Sequence, residues 1–194
     1  MPRISEPRAP ALPATDEQRA RRTAILRSAA RLGRVRPLDQ IQAQEIAAEA
    51  GVALRTLYRY YPSKHHVFAA VLTAQIENLR PPARRSSDAA TAVAELMAEA
   101  CRNMLRYKHL AHAMIVSTQT VRAHSRAVGD HAVRDTILLT AGITDPTPAQ
   151  TRVARLVEQV TFGVLTWTVG GEIEPDEAVA DVQRACRLLA ADFT

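Results

Sequence analysis

Aromatic residues are scarce in this chain, 4% of its 194 positions, and they are not evenly spread: three of the four tyrosines crowd together as Tyr58, Tyr60 and Tyr61. Glycine is also sparse, with seven residues, while alanine and leucine abound, a balance that favours helices over a β-sandwich. No apolar run approaches the length of about 18 residues that a membrane-spanning helix needs. The N-terminus carries Arg and Pro without the apolar stretch of a signal peptide. The expectation is a soluble, cytoplasmic protein with no membrane partner. Only two cysteines occur, Cys101 and Cys186, far apart and without a CxxC pair, so both are read as reduced thiols in helix cores.

Catalytic signatures are missing as well. There is no GxSxG, no HExxH, no phosphate-cradling glycine loop and no paired-carboxylate site, which argues against an enzyme. His109 and His112 stand three apart, but no cysteine or carboxylate completes a metal site, and His124 and His131 fare no better. No cofactor or metal is expected.

What is present begins with charge. Residues 1–86 hold 15 Lys/Arg against 7 Asp/Glu, whereas residues 87–194 hold 10 against 13. A basic N-terminal part joined to a mildly acidic remainder suggests one polyanion-binding region and one with another task. Residues 1–14, with four prolines and two arginines, read as a disordered basic arm. Helical segments are expected from Thr15 to Leu32 (stopped by Gly33), Ala43 to Ala50, Leu54 to Tyr60 and Lys64 to Arg80. Pro81-Pro82 through Ser87 mark a boundary between domains 15–80 and 88–194. Beyond it, apolar spacing predicts helices over 88–107, 110–118, 121–140, 148–169 and from Pro175 onward. The fold class is all-α with about nine helices.

The stretch from Ile46 to Lys64 is the most informative. It reads as a short helix, a turn at Gly51, a second short helix, and a third opened by Ser63-Lys64, the layout of a helix-turn-helix. Reading a major groove requires hydrogen-bonding side chains at the start of an exposed helix, flanked by phosphate ligands. Leu54 or the Thr56 methyl suits a thymine methyl, Arg55 suits guanine, and Tyr58 lies on the same face as Leu54. Tyr60 and Lys64 are placed for phosphate, and Gln44 for a base edge or backbone. Leu57 and Tyr61 read as packing, and Arg59 as either a solvated residue or a phosphate contact.

Residues 15–80 resemble the DNA-binding domain of TetR-type bacterial transcriptional repressors. The likeness rests on Ile46-Ala47, Gly51-Val52-Ala53 and Arg55-Thr56-Leu57-Tyr58-Arg59-Tyr60-Tyr61-Pro62-Ser63-Lys64. It implies that Gln44, Thr56, Tyr58, Tyr60 and Lys64 occupy DNA-contacting positions. Three departures stand out. Arg55 replaces the usual glycine, Pro37-Leu38 replaces glycine and an aromatic, and Ala53 replaces a capping Ser at a cost of about 1 kcal/mol.

The resemblance further implies a helical C-terminal domain that binds a small molecule and forms a homodimer through its last two long helices. The apolar stripes over 153–167 and 179–189 suit such an intermolecular bundle or an ordinary core equally. Met97, Met104, Leu105, Met114, Phe162 and Trp167 are candidate residues for an effector pocket, with Val116 to Thr120 as polar neighbours. A looser likeness to repressors of lipid or steroid breakdown, the KstR-like branch, implies a hydrophobic or CoA-linked effector. The expected partners are double-stranded operator DNA, an apolar effector and a second copy of the chain. The rival readings are an architectural DNA-binding protein without an effector and a helical partner-binding protein.

Overall fold

The computed structural model describes residues 15–79, 88–124 and 131–193, and among these nine α-helices and two 3-10 turns are the regular elements. The helices are α1 (Asp16–Val35), α2 (Ala43–Glu49), α3 (Leu54–Tyr60), α4 (Lys64–Glu77), α5 (Ala89–Leu105), α6 (Lys108–His124), α7 (Ala132–Thr140), α8 (Pro148–Gly170) and α9 (Pro175–Ala190). The 3-10 turns span Leu38–Gln40 and Ala191–Phe193. The basic arm 1–14 and the boundary segment from Pro81 to Ser87 lie outside the described residues. None of the described helices is long and apolar enough to cross a membrane.

Local chemistry explains most boundaries. Thr15 caps α1 by accepting from the Gln18 N–H, Asp88 caps α5 through Ala90 and Thr91, and Thr147 caps α8 with Pro148 in its first turn. Gly171 ends α8 in the left-handed conformation, at φ +86°.

Two expectations fail here. Gly33 does not stop α1, which continues to Val35. Its missing side chain serves packing instead: a Cβ there would lie 2.9 Å from Leu110 Cδ1 and 3.0 Å from Phe68 Cε1. Likewise the break expected after Thr118 is absent, and α6 runs unbroken to His124. Thr120 gives its hydroxyl to the Val116 carbonyl at 2.8 Å, so this residue is satisfied within the helix and does not break it.

Two apolar cores result. The first gathers Ile25, Ile46, Leu57, Val67 and Phe68 with Leu110 and Met114 from α6; the second gathers Val93, Met97, Ile115, Ile137, Val157, Val182 and Cys186. Each fully buried large side chain contributes about 1.5–3 kcal/mol. Successive residues Met114 and Ile115 enter different cores, so α6 is the wall common to both. Cys101 and Cys186 are free, buried thiols, and burial pushes each up to about 11.

Candidate nucleic-acid interface and ligand cavity

The sequence Glu49-Ala50-Gly51-Val52 folds into a tight turn because Gly51 adopts φ +66°. The Val52 N–H then returns to the Ala47 carbonyl at 3.0 Å. That turn sets α3 against α2, and Glu45 braces the opposite end of α2, its start. Its carboxylate accepts from the Gln42 N–H at 2.8 Å and from Arg36 at 2.9 Å. These bonds hold the Glu45 pKa below the usual carboxylate value, the Gln42 N–H contributing most. Ala53 caps α3 with no side-chain hydrogen bond. Ser63 stands at the cap of α4, yet its hydroxyl pairs with His66 Nδ1 at 2.9 Å instead of the helix backbone.

On this frame Gln44, Arg55 and Tyr58 are exposed, the Tyr58 ring by 46%, while Leu54 and Thr56 are half-buried. Among the described residues no hydrogen bond engages the side chains of Gln44, Arg55, Thr56 or Tyr58. Arg55 causes no distortion of α3, which spans the expected Leu54–Tyr60. Leu57 is fully buried beneath them.

Two expected DNA ligands are placed otherwise. Tyr60 is only 3% exposed and belongs to the first core, because it falls three residues after Leu57 on the inward face. Arg59 covers it, with its guanidinium 5.2 Å from the ring centroid. Lys64, half-buried, commits two of its three ammonium donors within the protein, to the Leu38 carbonyl at 2.9 Å and the Ile41 carbonyl at 3.0 Å. It pins the start of α4 to the segment before α2. Tyr61 packs as expected, and its hydroxyl accepts from Arg22 Nε at 3.1 Å.

From Lys64, α4 leads to a cavity of about 500 Å³ lined by residues of α4 to α8. Leu72, Ile76, Met97, Met104, Ile115, Phe162 and Leu165 give it apolar walls. Three of the six residues expected there, Met97, Met104 and Phe162, line it. Leu105 instead packs on the second core, Met114 is fully buried in the first, and Trp167 is 55% exposed on α8.

Sequence reading found Thr118, within the expected polar run Val116 to Thr120, but missed the charged part of the polar wall. Glu158, buried, receives Arg122 at 3.1 Å on one carboxylate oxygen and Arg134 at 2.6 Å on the other. A buried carboxylate requires such pairing. The one local signal was an acidic residue interrupting the apolar stripe of α8. Thr118 and Thr161 also line the cavity, and the buried Thr118 hydroxyl has no hydrogen-bond partner among the described residues.

Comparison with known proteins gives consistent likenesses. The family model described as "Bacterial regulatory proteins, tetR family" matches residues 25–71, and "Tetracyclin repressor-like, C-terminal domain" matches residues 87–189. The HTH-type transcriptional repressor KstR of Rhodococcus jostii is 29% identical over 154 residues, covering 75% of this chain and 71% of KstR. A crystal structure of a TetR transcriptional regulator from Rhodococcus sp. RHA1 has a TM-score of 0.82 at 37% identity, covering 93% of this chain and all of the other. Thermus thermophilus FadR in complex with lauroyl-CoA shares the fold, with a TM-score of 0.61 at 22% identity over 87% of this chain and 92% of FadR.

Proposed function

The chain belongs to the TetR family of bacterial regulatory proteins, and on that premise we propose that it is a homodimeric transcriptional repressor, released from a near-palindromic operator by a small, mainly apolar effector. The observation that carries this reading is the continuity of α4. One end of that helix is pinned beside the helix-turn-helix by Lys64, and the other walls the cavity.

Residues 15–80 would form the DNA-binding unit, with Gln44, Leu54, Arg55, Thr56 and Tyr58 facing base edges or backbone. Residues 88–194 would bind the effector and dimerise through α8 and α9. Those two helices expose Leu156, Trp167 and Leu188, large apolar side chains that a second copy would cover. A dimer sets two copies of α3 in successive major grooves about 34–36 Å apart. An effector that favours a different spacing of those helices opposes operator binding, and the operator opposes the effector equally. The apolar walls suit a hydrophobic or CoA-linked molecule, the class to which the lauroyl-CoA in FadR belongs.

The test is a titration of labelled upstream DNA at rising salt, repeated with small apolar molecules that raise the melting temperature. Salt-dependent binding relieved by the stabilising molecules is expected. Binding indifferent to salt, or stabilisers that leave the DNA bound, would refute the reading.

A further inference from the structure

Threonines on the helices of this chain commonly bond back to their own backbone. Thr120, Thr136, Thr140, Thr151, Thr166 and Thr168 each give the hydroxyl to the carbonyl four residues earlier, at 2.8–3.0 Å. Thr118 does not. Its hydroxyl is buried without a hydrogen-bond partner among the described residues, and the residue lines the cavity. Leaving such a group unpaired costs stability, and the Met114 carbonyl, four residues earlier, was the ready remedy.

Ile115, Thr118 and Arg122 fall three and four residues apart on one face of α6, and all three line the cavity. Arg122 gives one N–H to Glu158 at 3.1 Å, and its guanidinium lies 5.1 Å from the Phe162 ring centroid. Arg134 binds the other Glu158 oxygen at 2.6 Å. Both carboxylate oxygens are therefore engaged, whereas each guanidinium carries five N–H donors. This wall offers donors: a hydroxyl without an acceptor, and guanidinium N–H groups in excess of one carboxylate. The contribution of α4 and α5 is mainly apolar, from Leu72, Ile76, Met97 and Met104.

We propose that the α6–α8 wall is a subsite for an uncharged carbonyl oxygen, an inference that rests on the effector reading above and names the polar group of its ligand. The effector is then a ketone-bearing hydrophobe, neither a plain hydrocarbon nor a free acid. Its oxygen accepts from the Thr118 hydroxyl, with an Arg122 N–H as second donor, while the hydrocarbon body lies against α4 and α5. A carboxylate fits less well. It would sit beside the buried Glu158 carboxylate and compete with it for the same guanidiniums. A buried donor that is paired only in the filled cavity also discriminates, because it rejects an analogue lacking the acceptor.

The experiment uses the full chain and two readouts. Thr118→Val keeps the shape of the side chain and removes the hydroxyl, so the ligand-free protein should melt about 2–4 °C higher. A lower or unchanged melting temperature would show the hydroxyl satisfied within the protein and overturn the subsite. Calorimetry then compares three probes of one skeleton: phenylcyclohexane, 4-phenylcyclohexanone and 4-phenylcyclohexanecarboxylate. The ketone should bind the parent about tenfold more tightly than the hydrocarbon. Thr118→Val should abolish that advantage and leave the hydrocarbon's affinity unchanged. A ketone no tighter than the hydrocarbon, or an advantage that survives the substitution, overturns the proposal. So does a carboxylate that binds tightest, which would make the wall an anion site. Failure of all three probes, where other apolar molecules stabilise the protein and release its DNA, overturns it as well. Failure of every molecule in the melting and DNA assays refutes the effector reading itself.

Discussion

His65 on α4 and Ser117 on α6 meet with Nδ1 and Oγ 3.1 Å apart, Ser117 being fully buried. The pair joins the helix that leaves the DNA-reading motif to the helix common to both cores. Burial, aided by the adjacent Lys64 charge, lowers the His65 pKa below its ordinary value, and burial does the same to His66.

Stability should therefore depend on pH in one direction. The unfolded chain takes up these protons first, so stability is fully present above about pH 6.5 and declines as the pH falls through the lowered folded values. Denaturant midpoints measured from pH 8 down to about pH 5 should fall. His65→Asn should flatten that slope. A midpoint that rises on acidification would contradict the assignment.

Lys64→Ala should behave as a structural lesion before it behaves as a DNA-contact lesion. Two charge-assisted hydrogen bonds to carbonyls are lost, costing about 1–3 kcal/mol in chemical denaturation. Operator affinity should fall with that loss, while Tyr58→Ala should weaken DNA binding with stability nearly unchanged. Equal stability of Lys64→Ala and the parent would show that the clamp contributes nothing.

Gly33→Ala sets two effects against each other. Alanine gains about 1 kcal/mol of helix propensity over glycine. Overpacking against Leu110 and Phe68, both buried, costs about 1–3 kcal/mol. A lower melting temperature is expected, read by calorimetry.

Ala53→Ser should restore the missing cap of α3. A serine hydroxyl at this extended position accepts an N–H from the first turn, for a gain of about 0.5–1 kcal/mol. Hydrogen exchange of the α3 amides would report it as slower exchange. Unchanged exchange would mean that another group already satisfies them.

The sequence was most legible where backbone punctuation is strong. Gly51 and Pro62 bracket α3, and its observed bounds equal the expected ones. It was least legible where distant segments meet. Lys64 finds carbonyls 26 and 23 residues away, which no local pattern encodes. Gly33 reads as a helix stop until Leu110 and Phe68 are seen against it. The cavity shows the same limit. Met97, Met104 and Phe162 face it, but Met114 and Trp167 share their apolar character and point elsewhere, because apolarity records burial without saying in what. Tyr60 was recoverable, since its spacing from Leu57 already marked it as inward-facing.

Trp167 is the chain's sole indole, more than half open to solvent and outside the cavity wall. It therefore supplies a native optical gauge of its own helix. In the proposed dimer, where a second copy covers α8, its emission should lie at shorter wavelength and red-shift on dilution. Filling the chamber behind it should leave the colour unchanged, so assembly and ligand uptake can be followed separately in one unlabelled sample.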